Sequence, residues 1–169
     1  MDEQQGQGVD AEEFSAFVDG LDYPLYVVTT VAGTERSGCL VGFTTQVSID
    51  PPQMLVCISK ANHTHAVARE AELFAVHLLA PDQQALAALF GEETGDEVDK
   101  LDRCAWHAGP GGVPVIEGTA RHFVGRVLAR VPFADHTGFL LAPVEVAVTS
   151  APVAYTLEDA EGMEPGHSA

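Results

Sequence analysis

Six runs rich in β-branched, aromatic and aliphatic residues, most closed off by a turn, constrain this chain more than any other feature: residues 23–31, 37–43, 53–59, 73–79, 117–131 and 137–149. Val, Ile, Thr, Tyr and Phe fit a pleated, half-buried surface, so these runs read as strands. Ala32-Gly33-Thr34-Glu35-Arg36 is a hairpin turn, and Pro132-Phe133-Ala134-Asp135-His136 is the turn between the last two long runs. The runs 53–59 and 73–79 are almost wholly apolar, as expected of strands buried on both faces. Gly125 marks a bend in the long strand 117–131. Three short helices fit between. Asp10 with Glu13 caps one whose Phe14, Phe17, Val18 and Leu21 share a face. Asn62 caps a second, running to Glu70. Pro81-Asp82 opens a third, with Leu86, Leu89 and Phe90 on one face and Gly91 at its end. Residues 92–99 and 106–114 read as loops. At 169 residues the chain is one domain with room for a substantial core. The pattern argues a mainly β fold, a closed or nearly closed antiparallel barrel with a few short peripheral helices, and not a doubly wound parallel sheet. The expected division is a mobile segment 1–9, a folded domain 10–150, and an acidic tail 151–169 that is disordered beyond Leu157.

Charge narrows the function. Lys and Arg total 8 against 25 Asp and Glu, a formal net charge of −17. Such a surface repels phosphate backbones and anionic lipid, which excludes nucleic acid as a partner. No apolar run approaches the ~20 residues of a membrane helix, and the polar, acidic start (Met1-Asp2-Glu3-Gln4-Gln5) is unlike a signal peptide. With three cysteines, Cys39, Cys57 and Cys104, and no CxxC, the expected compartment is the reducing cytoplasm.

Two polar loops flank the apolar run 53–59. The first, Gly42-Phe43-Thr44-Thr45-Gln46-Val47-Ser48, offers three hydroxyls, an amide and several backbone N–H groups. The second, Ser59-Lys60-Ala61-Asn62-His63-Thr64, ends a strand and begins a helix, where N–H groups attract phosphate. It also carries one of only two lysines in the chain. Together they can cradle a planar, phosphorylated ligand. Each has a plainer alternative: a turn whose hydroxyls satisfy their own backbone, a helix cap at Asn62, a solvated Lys60. Asp135-His136-Thr137 is a third candidate, in which Asp135 fixes the tautomer of a His136 facing the ligand mouth, or His136 is a turn residue in solvent.

Other chemistries lack their residues. There is no GxGxxG and no GxxxxGK[ST], hence no Rossmann or P-loop site. No GxSxG or CxxC offers covalent catalysis. His63 and His65 stand two apart and diverge on a helix, and no spacing matches a zinc pattern, so no metal is expected. With so little acid–base machinery, the chemistry would fall to a cofactor that the protein positions.

The order of motifs resembles the flavin reductase-like family over about residues 23–148. The family shows a strand ending Val-Val-Thr-Thr, a Gly-bearing strand, a Ser/Thr-rich loop and Val-Ser-hydrophobic-Asp-Pro-Pro. An apolar strand, a polar phosphate loop and a Phe-Ala-Val-Asn-Leu-Leu-like strand come next. Here these are Val27-Val28-Thr29-Thr30, Gly38, 43–46, 47–52, 55–58, 59–64 and 74–79. Gly112-Val113-Pro114-Val115-Ile116 is similar to a later family element, and Ala134-Asp135-His136 to its Gly-Asp-His turn. The resemblance implies a split β-barrel (Greek key) that binds FMN or FAD, forms a homodimer with flavin near the interface, and takes hydride from NADH or NADPH. It implies flavin contacts from Gly42, Phe43, Thr44, Thr45, Gln46, Cys57, Ser59, Lys60, Asn62, His63 and Thr64, and His136 near the nicotinamide. The implied activity is flavin reduction, with a monooxygenase as partner; a flavin-binding electron carrier of the same fold is the alternative. Two departures are visible: Gly42-Phe43-Thr44 stands where the family has Ser-Ser-Phe, and Ala134 stands for Gly.

Overall fold

The computed structural model describes residues 8–151 and 153–166. Helix α1 (Ala11–Val18) opens the chain, with Asp10 accepting from the Glu13 N–H. Strands β1 (Tyr26–Ala32) and β2 (Glu35–Val41) form a hairpin, followed by β3 (Thr44–Ser48) and β4 (Gln53–Ser59). Helix α2 (His63–Ala68), strand β5 (Leu73–Leu78), helix α3 (Gln84–Gly91) and the two short strands β6 (Trp106–Ala108) and β7 (Pro114–Ile116) come next. A long hairpin of β8 (Arg121–Pro132) and β9 (His136–Val148) completes the set. Seven strands make one antiparallel sheet in the order β2-β1-β5-β8-β9-β4-β3, and β6 pairs with β7 alone.

The connection from β2 to β3 dictates the sheet's shape. These strands occupy opposite edges, yet only Gly42 and Phe43 separate them, and three residue steps span at most ~11 Å. The sheet must therefore roll until its edges approach. Its core shows the same: Cys39 and Val41 of β2 share a buried cluster with Val56 and Ile58 of β4 and with Phe139 and Leu141 of β9. No ladder joins β2 to β3 among the described residues. The closed barrel expected from the sequence is thus observed as a rolled, open antiparallel sheet with a seam.

Outside the roll, α3 lies against β2 and buries Ala87 and Phe90 in a second cluster with Val27 of β1 and Leu79, just past β5. The β6–β7 pair covers the outer face of β5 and β8 through Val113 and Val115. Each fully buried Phe or Val contributes roughly 1.5–3 kcal/mol. His77 stitches these layers together, its Nδ1 2.9 Å from the Val27 carbonyl and its Nε2 accepting from Ile116 N–H at 3.0 Å.

Four expectations differ from the structure. The polar stretch at 44–48 is not a loop: Thr, Val and Thr suit an edge strand, and it ladders onto β4. Within 106–114 a hairpin forms, because Gly111 and Gly112 take positive φ and turn β6 onto β7. The apolar face of α1 is exposed rather than packed, with no buried residue. The acidic tail, expected to be disordered, docks as far as 166. Tyr155 is fully buried, its N–H bonds Leu79 O, its carbonyl accepts from Leu25, and Met163 packs beside it. One aromatic anchor and four backbone bonds, those two together with Leu157 N–H to Tyr23 O and Gly166 N–H to Gly91 O, outweigh the tail's acidic composition. Residues 1–7 of the expected mobile segment, Pro152 and 167–169 lie outside the described residues.

Candidate functional site

The seam opens into a cleft of about 440 Å³. Its walls come from both sides of the roll: Leu40 and Val41 from β2, Gly42 and Phe43 from the crossing, and Cys57, Ile58 and Ser59 from β4. Strand alternation explains which side chains reach it. Val56 and Ile58 point into the core, so Cys57 and Ser59 face outward, as does His136, paired directly with Ser59. Asn62 caps α2 at the same end, its carboxamide oxygen 2.9 Å from Thr64 N. β2 has a partner on one side only, so part of its backbone N–H and C=O groups face the seam.

The turn between β8 and β9 closes one end. The ring of His136 stands 5.2 Å from that of Phe43, and the Phe43 ring 6.4 Å from that of Tyr23. His136 Nδ1 lies 2.8 Å from Asp135 Oδ1, so it donates to the carboxylate and leaves Nε2 free of that bond. That hydrogen bond, helped by the Lys60 charge, holds Asp135 below the usual carboxylate range. Lys60 follows β4, and its ammonium donates to the Phe133 carbonyl at 2.5 Å and the Ala134 carbonyl at 2.9 Å. Its backbone N–H donates to Asp135 O at 2.8 Å.

Of the twelve residues singled out from the sequence, six line this cleft: Gly42, Phe43, Cys57, Ser59, Asn62 and His136. Thr44, Thr45 and Gln46 line a different cleft of about 520 Å³, beside Tyr26, Arg121 and His122. Thr44 gives its hydroxyl to Leu55 O and Gln46 its amide to Ser48 O. His63 faces a third cavity and pairs with Asp96 at 2.8 Å. Thr64 is buried, its hydroxyl 2.8 Å from that of Ser37. Burial raises the Cys57 thiol, so it is a neutral wall group rather than a nucleophile.

The sequence reasoning missed the opposite wall. Leu157, Ala160, Met163, Glu164 and Pro165 of the tail line the cleft. The buried Tyr155 anchor was the signal: a tyrosine in an otherwise polar, acidic segment seeks a core.

The donor set suits a flavin. An apolar slot of Leu25, Leu40, Phe43 and Met163 fits a planar ring, and Ser59 and Asn62 provide polar groups for a hydroxylated chain. No Lys or Arg lines the slot, and Glu164 does. Lys60, next to Ser59, is not among the lining residues and directs its ammonium to the Phe133 and Ala134 carbonyls.

A family profile described as "Flavin reductase like domain" matches residues 18–162. The FMN reductase (NADH) SmoA of Agrobacterium fabrum is 38% identical over 111 residues, covering 66% of this chain and 62% of that protein. The stachydrine N-demethylase reductase subunit Stc3 of Rhizobium meliloti is 30% identical over 113 residues, 64% of this chain and 48% of that protein. The chain thus spans less than two thirds of the length of these relatives. The solved NADH:FAD oxidoreductase SgcE6 of Streptomyces globisporus C-1027 superposes with a TM-score of 0.78 at 27% identity, covering 89% of this chain and 91% of that one. The rolled sheet, the seam cleft and a match over most of its length establish that the chain belongs to the flavin reductase-like family.

Proposed function

We propose that the protein is an NAD(P)H-dependent flavin reductase that passes hydride from NADH or NADPH to FMN or FAD and supplies reduced flavin to a partner monooxygenase. The observation that carries this reading is the seam cleft, which gathers Gly42, Phe43, Cys57, Ser59, Asn62 and His136 from distant parts of the chain. The activities of SmoA, an FMN reductase using NADH, and of SgcE6, an NADH:FAD oxidoreductase, support the same reaction class. A bound flavin supplies the acceptor of hydride, at N5.

The chain's own residues bind, orient and shield. Leu25, Leu40, Phe43 and Met163 would shield a flavin ring from water. Backbone groups of the β2 edge and of Gly42 and Phe43 would meet its polar rim, while Thr44, Thr45 and Gln46 line the other cleft. Ser59 and Asn62 would serve the ribityl chain and phosphate, whereas His63 and Thr64 are committed elsewhere, to Asp96 and Ser37. His136, oriented by Asp135 and lining the cleft, would be the residue that meets the nicotinamide. Holding both rings in register is the protein's contribution to rate.

In this reading the rolled sheet works as a split β-barrel, and a second copy completes the assembly as a homodimer. The exposed Val144, Val146 and Val148 on one face of β9, beside the 520 Å³ cleft, support a homodimer. The unpaired state of Cys39, Cys57 and Cys104 supports a cytoplasmic setting.

Oxidation of NADH and NADPH, followed with and without added FMN and FAD, tests the function. Flavin-dependent oxidation is expected. Flavin binding without oxidation would favour an electron carrier instead.

A further inference from the structure

We propose that Lys60 is a positioning residue for His136, acting as a clamp on the β8–β9 turn; this rests on the reductase reading above. Ser59 pairs directly with His136 across β4 and β9, so the next residue, Lys60, sits beside the turn. Its backbone N–H takes Asp135 O at 2.8 Å, and its ammonium takes the two preceding carbonyls, Phe133 at 2.5 Å and Ala134 at 2.9 Å. Three successive carbonyls of one turn are thus held by one residue. Within the turn itself, Phe133 N–H donates to His136 O at 2.9 Å.

This arrangement gives the ammonium a specific task. Carbonyls at an exposed hairpin tip ordinarily turn to water, and the turn then samples several conformations. A cation bound to two adjacent carbonyls fixes the direction of both peptide planes through charge-assisted bonds. The peptide after Ala134 leads straight into Asp135 and His136, whose side chains are joined at 2.8 Å. The imidazole is held on its other side by the Phe43 ring. With two of three N–H groups committed to the turn, Lys60 has only one left for a phosphate.

The clamp predicts that Lys60 acts through His136 and not through the flavin phosphate. Purified protein is compared with Lys60→Met, Lys60→Arg, His136→Ala and the Lys60→Met/His136→Ala double variant. Steady-state kinetics are run with FMN and with riboflavin, and flavin affinity is measured by fluorescence quenching. Lys60→Met is expected to lower kcat/KM for the nicotinamide about 10- to 100-fold, the scale of ångström misplacement, and equally with both flavins. Lys60→Arg recovers most of the loss. The double variant is no slower than His136→Ala within about twofold, as expected of residues that act as one unit. Multiplying effects of Lys60→Met and His136→Ala, or a loss confined to FMN affinity with riboflavin untouched, overturns the clamp and leaves the reductase reading standing. An inactive wild-type protein overturns the reductase reading itself and the clamp with it.

Discussion

Acidification destabilises this fold in part through one fully buried ring, His77. The side chain is fully buried and both nitrogens are used: Nδ1–H donates to Val27 O at 2.9 Å, and Nε2 accepts from Ile116 N–H at 3.0 Å. A proton on Nε2 would destroy that second bond and strand a charge among Val27, Ile116 and the outer core. Burial accordingly lowers the His77 pKa to about 4. In the unfolded chain a histidine titrates near ~6.5. The unfolded state therefore takes a proton as pH falls through ~6.5, while the folded state refuses it until about 4. Stability is lost across that window, and the loss levels off below it. At about 1.4 kcal/mol per unit, the fall from pH 7 to pH 5 is about 2 kcal/mol. Urea denaturation of wild type and His77→Gln at both pH values isolates it, since every other titrating group is common to both. The expected result is a wild-type advantage that shrinks by about 2 kcal/mol on going to pH 5. A constant difference between the two proteins would refute the reasoning.

Three further expectations concern other parts of the structure. Tyr155→Ala removes the buried anchor of the tail, so stability should fall by about 3–5 kcal/mol and limited proteolysis should then cut within residues 153–166. Gly38→Ala places a Cβ 2.8 Å from the Phe90 ring and 3.1 Å from Val28 O; a loss of about 1–3 kcal/mol is expected in thermal unfolding. Phe43 is 57% exposed and bears on the cleft. Phe43→Ala should therefore weaken FMN about tenfold by fluorescence titration, for lost stacking of about 1–1.5 kcal/mol, while the melting temperature stays within a degree or two.

The strands that carry the core were legible because burial on two faces leaves an uninterrupted apolar run, as in Leu55-Val56-Cys57-Ile58 and Phe74-Ala75-Val76. The bend at Gly125 was legible too, and the β8–β9 register shifts there, between Val124 and Gly125. Edge strand β3 was not, since Thr44-Thr45-Gln46 is polar on both faces and its identity comes from laddering to β4. The seam was equally hidden. Nothing in Gly42-Phe43 states that β2 and β3 will lie at opposite edges, and that arrangement alone creates the cleft. A third of the cleft lining was visible as residue types, namely Gly42, Phe43, Cys57, Ser59, Asn62 and His136. The tail wall was masked by its acidic composition, where Tyr155 and Met163 mattered more than the charge around them. Lys60 was visible as a cation near a phosphate loop, but its bonds to Phe133 and Ala134 span more than seventy residues and no local pattern announces them.

The most direct test of the account is a single-turnover experiment under anaerobic conditions. Protein preloaded with FMN is mixed with NADH or NADPH, and the flavin absorbance is followed in time. The account predicts bleaching of the bound flavin in one concentration-dependent phase, slowed in His136→Ala. Flavin that is held by the protein yet stays oxidised with both nicotinamides would contradict it.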